Sequence, residues 1–378
     1  MFYLVESSKR CKFAQKEQMT LHIFNPDHDI ALASGLANFT APHAGRQLRH
    51  DLGFLPAIWA EDGDLILVND VEQAKRTWHK TVFRAKELMG FNKPTSPTFV
   101  DNKLSTCSAR TDDINPWGWN AALRAELIRW GINESKVPTQ LQLEDIRQLS
   151  HRRTATQLLP QLKTLKTVGE AFECSTAIQV VRLQKQYGQV VIKAPWSSSG
   201  RGLRFCNSLQ RSDGGKAAND LDWVDNVITR QGSVIVEPYY HKVKDFGMEF
   251  YSDGLGTVTY LGLSVFHTVN GAYMGNILAT EATKREMISR YIPLQLIDSI
   301  QERIVHLLGN VYKDRYCGPF GVDMMVVAGS LLHPCVEINL RRTMGHVALS
   351  LSPKDDDIRR VMRIVYSENH YQLKIERI

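Results

Sequence analysis

GPFGVDMMVV (residues 318–327) and HPCVEINLRR (residues 333–342) decide the fold of this chain. Both runs are rich in Val, Ile and Met, as β-strands are, and Gly329-Ser330 between them has hairpin chemistry. Paired antiparallel, the two strands bring Asp323 beside Glu337. Period-two alternation sets Glu337 and Asn339 on one face and turns Ile338 to the other. Two carboxylates and an amide oxygen make a set of hard oxygen donors suited to Mg²⁺, whose octahedral shell is usually completed by water and phosphate. A solvated hairpin face is the plainer alternative. Against it stands the cost of burying two acids and an amide among apolar strands without a cation.

Working back from the hairpin, VVIKAPWSSSGRGLRFC (190–206) has a β-branched strand ending in Lys193. A loop with Ser197, Ser198, Ser199, Gly200 and Gly202 follows. Glycine permits the dihedrals and close approach by which loop N–H groups meet phosphate oxygens, and Lys193 adds a positive charge at the root. No GKS or GKT opens a helix here and no GxGxxG is present. By itself the stretch reads equally as a flexible hairpin with a snorkelling lysine.

SVIVEPYYHKVKDFGMEF (233–250) lies between these two signals. A strand end with an exposed backbone edge suits an adenine ring, with Val236 and Tyr239 packed on its faces, Glu237 at the edge and Asp245 accepting from ribose hydroxyls. The alternative is an ion pair of Glu237 with Lys242 or Lys244.

Composition bounds the rest. At 378 residues, 43% hydrophobic and 23% charged, the chain has material for two or three domains with real cores. The net charge of +6 is spread over paired cations, which favours phosphate and carboxylate pockets over a nucleic-acid face. Six cysteines without CxxC spacing point to reduced thiols of a cytoplasmic protein. No apolar run reaches membrane-spanning length, so no membrane partner is expected.

Residues 1–18 are expected to form a disordered leader. Residues 19–145 alternate strands (LHIF, LPAIWA, LILV) with helices (near DIALASGLA, and AALRAELIRWGI), which implies a parallel sheet. A helix pair, EDIRQLSHRRTATQLLPQLK, opens residues 146–240. Residues 241–378 carry long strands, a helix across 294–312, the acidic hairpin and an expected C-terminal helix from about Asp355.

The succession IKAPWSSSGRG, VEPYY, DFGMEF, GVD and VEINLRR resembles the ATP-grasp superfamily over roughly residues 145–350, with the preceding block similar to the pre-ATP-grasp domain. The resemblance implies an α/β (α+β ATP-grasp) fold, with an N-terminal α/β domain and two ATP-grasp lobes. Lys193 then matches the phosphate-contacting lysine, and Ser197 to Gly202 the loop closing over it. Glu237, Val236 and Tyr239 match the adenine hinge, and Asp245 the ribose-binding acid. Asp323, Glu337 and Asn339 match the ligands of Mg²⁺, two ions being expected and Mn²⁺ able to substitute. Arg341 matches the arginine of ExNxR facing the acyl phosphate, and Arg152 or Arg153 a further nucleotide contact. Gly321 departs from the arginine that D-alanine ligases carry there, and RRTMGH after Asn339 matches no one subfamily.

The implied activity is an ATP-dependent ligase. A small-molecule or peptide carboxylate is activated as an acyl phosphate and joined to an amine, releasing ADP and phosphate. The alternatives are an ATP-grasp phosphotransferase and a non-catalytic nucleotide-binding regulator. A homodimer is compatible with either. For substrate contacts the sequence offers His28 in NPDHDIALA, Arg46 with His43 and Arg49, Trp117 and Trp119, His267, His346, and Arg342, which alternation turns away from Arg341. The NPDHD run reads equally as an Asx turn in which Asp29 caps a helix starting at Ile30.

Overall fold

The computed structural model describes residues 19–93, 97–101, 111–197, 202–209, 216–269 and 272–378. Their regular elements form three sheets. The first is wholly parallel, in the order β3-β2-β1-β4, built from β1 (Thr20–Ile23), β2 (Leu65–Leu67), β3 (Thr98–Val100) and β4 (Asp113–Pro116). Parallel neighbours need crossovers. Helices α1 (His28–Ser34), α2 (His43–Leu52) and α3 (Val71–Met89) lie along this part of the chain, and α4 (Ala121–Arg129) follows β4. α3 shows why these stretches are helical: Asp70 accepts from Gln73 N–H at the start, and Gly90 ends it at φ 66°. LPAIWA is not the strand expected from its apolar run. Leu55–Ile58 form a 3₁₀ turn begun by Pro56, which has no N–H to give a sheet, and the turn is buried on every side.

Helices α5 (Gln140–Leu149) and α6 (Arg153–Leu158) lead into a four-stranded antiparallel sheet of order β5-β8-β6-β7. Its strands are β5 (Phe172–Cys174), β6 (Val190–Lys193), β7 (Leu203–Cys206) and β8 (Val234–Pro238), accompanied by α7 (Ala177–Tyr187) and α8 (Lys216–Gln231). Val180, Ile192, Val224 and Val236 form its core.

The third sheet has the order β13-β12-β9-β10-β11-β14-β15, antiparallel throughout. It comprises β9 (Lys242–Asp253), β10 (Val258–Val269), β11 (Ala272–Leu278), β12 (Cys317–Val327), β13 (Leu331–Asn339), β14 (Arg360–Ser367) and β15 (His370–Arg377). Helices α9 (Glu281–Ser289), α10 (Leu294–Tyr312) and α11 (Met344–Leu351) complete the chain; α10 buries Ile297, Ile300, Ile304 and Leu308, one apolar face at helical spacing, against the sheet core.

No helix follows Asp355, contrary to the expectation. β14 and β15 form a hairpin turned at Glu368 (φ 53°) and Asn369 (φ 62°). The hairpin shares a core with the first part of the chain: Met362 and Ile375 pack with Phe24, Leu52 and Leu55. Cys174, Cys206 and Cys335 are buried, and Cys317 is exposed. Among the described residues no helix is long and apolar enough to cross a membrane.

Candidate active site

The β12–β13 hairpin has the register read from its sequence. Gly329 (φ 82°) and Ser330 (φ 56°) take the left-handed turn, and Asp323 stands opposite Glu337, Gly321 opposite Asn339. Asn339 Nδ2 donates to Asp323 Oδ2 at 3.0 Å, so the three donors meet on one face. Burial, then the charges of Glu337 and Glu249, push the Asp323 carboxyl up to about 8. A carboxyl buried beside like charges fits a divalent cation, which would relieve it. Asp323, Glu337 and the Asn339 amide are the donors that would hold it. The Asn339 oxygen now accepts from Arg341 Nη2 at 3.0 Å, so its amide must turn to serve a metal.

Lys193 reaches the same junction from the end of β6. Its Nζ lies 2.6 Å from Glu237 Oε1 and donates to Val336 O at 3.2 Å, bridging the second and third sheets. Glu237 therefore pairs with Lys193 and not with Lys242 or Lys244. Burial raises its pKa, and the lysine opposes that rise. Of the two candidate arginines, Arg152, just before α6, reaches this junction. Its guanidinium donates to Glu337 Oε1 and Ser197 Oγ, both at 2.7 Å, and to Ala194 O. Arg153 turns outward to Glu173 at 2.6 Å. A Cβ on Gly202 would overlap the Ser197 hydroxyl, so glycine lets the two ends of the loop close on each other. Ser198, Ser199 and Gly200 lie outside the described residues.

The hinge residues divide. The Val236 side chain is fully buried in the core of the second sheet, which leaves only its backbone for a ligand. Tyr239 is half-buried, its ring edge-on to Phe205 and His241 at 6.3 and 5.3 Å. Asp245 accepts from Lys242 Nζ at 2.7 Å and Thr268 Oγ1 at 2.6 Å, which orient its carboxylate.

β13 ends at Asn339 and the backbone turns, Arg341 N–H donating to Asn339 O at 2.8 Å. Strand alternation thus does not extend to the two arginines, yet their side chains still part. Arg341 grips Asp29 of α1, Nε to Oδ1 at 2.9 Å and Nη2 to Oδ2 at 2.7 Å, while also holding Asn339. Burial acts to raise Asp29, but the Arg341 charge and hydrogen bonds hold it below the usual carboxylate range. Asp29 therefore does not cap α1; it sits in the first turn, and Asp27 at the N-cap accepts no side-chain cap bond. Arg342 stacks on Trp59, 4.3 Å from the ring centre.

The remaining substrate candidates are placed elsewhere. His28 is 1% exposed and packed on Gly118, where a Cβ would meet its ring at 2.6 Å. Burial lowers its pKa to about 4, so it is a neutral packing element. Arg46 is exposed on α2 and donates to Ala41 O, and Arg49 pairs with Glu126 at 3.1 Å. Trp117 is core, edge-on to Phe24. His267 is exposed on β10.

His346 is buried and works with a residue absent from the sequence reading, Glu249. Thr343 Oγ1 donates to Glu249 Oε2 at 2.8 Å, Thr343 N–H lies 3.1 Å from His346 Nδ1, the same ring nitrogen is 3.0 Å from Glu249 Oε2, and Nε2 is 3.3 Å from Phe250 O. This network explains two glycines. A Cβ at Gly321 would lie 2.6 Å from Glu249 Oε2, so the missing arginine has no room; Gly345 abuts the other oxygen. The signal for Glu249 in the sequence is an acid set between the apolar Met248 and Phe250.

No family model matches the sequence, and no curated protein matches it. Solved structures do. The biotin carboxylase domain dimer of 2-oxoglutarate carboxylase from Hydrogenobacter thermophilus, in complex with MgADP, ADP and bicarbonate, is similar at 13% identity and a TM-score of 0.50, covering 92% of this chain and 74% of that one. An N5-carboxyaminoimidazole synthetase from Staphylococcus aureus, complexed with ADP, is similar at 12% identity and a TM-score of 0.48, covering 93% and 83%. The fold of the chain is the ATP-grasp fold, with its subfamily unassigned.

Proposed function

We propose that the protein is an ATP-dependent ligase that activates a carboxylate as an acyl phosphate and joins it to an amine. The observation that carries this reading is the meeting of Lys193, Arg152 and Arg341 with Asp323, Glu337 and Asn339 at the junction of the second and third sheets. The similar Hydrogenobacter domain, whose structure is a complex with MgADP, ADP and bicarbonate, supports binding of a nucleotide and a small anion by a chain of this fold.

In this reading Lys193 and Arg152 hold the phosphates by charge and by N–H donors, and their present partners Glu237 and Glu337 keep them oriented before nucleotide arrives. The backbone after Val236, with Glu237 and Tyr239, seats the base, and Asp245 receives the ribose hydroxyls. Bound Mg²⁺ supplies neutralisation of the triphosphate charge. Ser197, held by Arg152 at 2.7 Å, offers its hydroxyl to the phosphates. Arg341, its fork held by Asp29 and Asn339, places a positive charge beside the carboxylate that attacks the terminal phosphorus. An amine then displaces phosphate from the acyl phosphate.

The test is ATP turnover against pooled carboxylates, with amines or with hydroxylamine as trap. A hydroxamate formed together with ADP and phosphate is expected. ADP with a stable phosphorylated product and no free phosphate would show a phosphotransferase instead.

A further inference from the structure

The chain leaves β6 through Ala194, Pro195, Trp196 and Ser197, and all but the tryptophan bond to one arginine. Arg152 N–H donates to Pro195 O at 3.3 Å, and its guanidinium donates to Ala194 O and, at 2.7 Å, to Ser197 Oγ. Trp196 reaches further back, to the last turn of α5. Its Nε1–H donates to Arg147 O at 3.0 Å. Carbonyls in the last turn of a helix have no partner within it, so the indole supplies one. The side chain is 7% exposed. The Arg147 guanidinium lies over its ring, 4.2 Å from the centre, and His151 meets it edge-on at 4.7 Å. Burial keeps His151 neutral, lowering its pKa to about 4, so it brings no charge beside the two arginines. The backbone N–H of Trp196 donates to Gln231 Oε1 at the end of α8, at 3.1 Å. An indole fixed at its face, its edge and its nitrogen leaves the residues on either side of it little room to shift.

Arg147 carries the contact onward. Its Nε donates to Leu32 O at 2.8 Å, near the C-terminal end of α1, where the helix dipole favours a cation. On the same short helix Asp29 holds Arg341. One line of contacts therefore runs from Arg341 through α1 and Arg147 to Trp196, and ends on the backbone that holds Arg152. We infer that Trp196, backed by Arg147, is the positioning residue for Arg152, setting its guanidinium where the nucleotide phosphates lie in the ligase reading, on which this inference rests. Trp196 touches no reacting atom. It acts by preorganisation, since an arginine already set needs no ordering when phosphate arrives. Lys193 ends β6 and is placed by the sheet, so the tryptophan governs how far apart the two cations stand.

The experiment is a double-mutant cycle on the full chain, read by calorimetry as affinity for a nonhydrolysable Mg-ATP analogue. Trp196→Phe keeps a ring but removes the Nε1 donor and part of the stacking face. It is expected to weaken the analogue about tenfold, the scale of one lost hydrogen bond. Arg152→Lys keeps the charge, so binding stays measurable, but a point donor cannot hold Ala194 O, Ser197 and Glu337 together. In that background Trp196→Phe should change the affinity by less than about twofold, because the group it positions is gone. A loss of equal size in both backgrounds would mark a structural residue that acts independently of Arg152, and overturns the inference; so does no loss in either. Should Trp196→Phe not fold, Arg147→Met takes its place in the cycle and is judged by the same outcomes. It keeps the backbone acceptor but takes the guanidinium from the indole and from Leu32 O. A parent that does not bind the analogue sinks the nucleotide reading, and this inference with it. A parent that binds while the two substitutions simply add sinks the inference alone.

Discussion

Lys193 and Glu237 face each other at 2.6 Å, each side chain only 7% exposed, so either one alone is a buried charge without relief. Lys193→Ala is therefore expected to lose about 3 kcal/mol of stability in urea unfolding as well as nucleotide binding. The double variant Lys193→Met with Glu237→Leu separates the two effects: its stability should return to near the parent value while nucleotide binding stays absent. Recovered binding in the double variant would remove Lys193 from the phosphate site. Asp323 gives a pH test. Its folded pKa of about 8 exceeds the ordinary carboxylate value of 3.8, so the folded state binds the proton more tightly than the unfolded one. The stabilisation from that proton is full below the ordinary value and is lost as pH rises towards about 8. In the presence of a chelator Asp323→Asn should thus melt close to the parent near the acid end and increasingly above it towards the alkaline end. The same substitution should remove most of the melting shift given by Mg-ATP. A parent–variant difference that does not change with pH would show that Asp323 is not strained by its neighbours.

At the scale of elements, the site is held by the β12–β13 hairpin, the end of β6 and the turn from β13 into α11. That turn is pinned by Glu249 from β9, through the Thr343 hydroxyl, with His346 packed beside it. Gly345 lies so close to Glu249 Oε1 and Ser264 Oγ that any side chain must displace them. Gly345→Ala is expected to cost about 3 kcal/mol, measured by urea unfolding, although alanine is the better helix former. A neutral or stabilising outcome would mean that the Glu249 network is loose. The hairpin was legible in the sequence because its two strands are contiguous, their pattern has period two, and one short turn sets the register. The Glu249 contact was not, because it joins residues 249 and 343 across separate elements, and neither segment carries a local sign of the other. The C-terminal hairpin could have been read: Tyr371, Leu373 and Ile375 alternate with Gln372, Lys374 and Glu376. Its turn, Glu368-Asn369, lacks the glycine that usually marks one.

For the whole molecule, the last hairpin closes the chain on itself. Met362 of β14 and Ile375 of β15 share a core with Phe24, Leu52 and Leu55, and Asp51 of α2 accepts from Tyr371 N–H at 2.8 Å. Met362→Ala should cost about 3 kcal/mol. Because that core joins the segment from Phe24 to Leu55 with the last hairpin, fluorescence and far-ultraviolet dichroism should report one coincident transition. Separate transitions would show that the two segments fold independently. Sequence alone determined the α/β class, the ordered succession of lysine loop, hinge and acidic hairpin, and the pairing of Asp323 with Glu337. Each of these rests on local periodicity or on residues close together in the chain. Tertiary structure alone decided which arginine meets the site, since Arg152 and Arg153 differ only in the direction that the start of α6 gives them. It also brought Asp29 to Arg341, more than 300 positions away, and Trp59 to Arg342. Ion pairs and stacking between distant segments leave no periodic trace in sequence, because they are selected by where the packed sheets bring side chains and not by what each segment forms on its own.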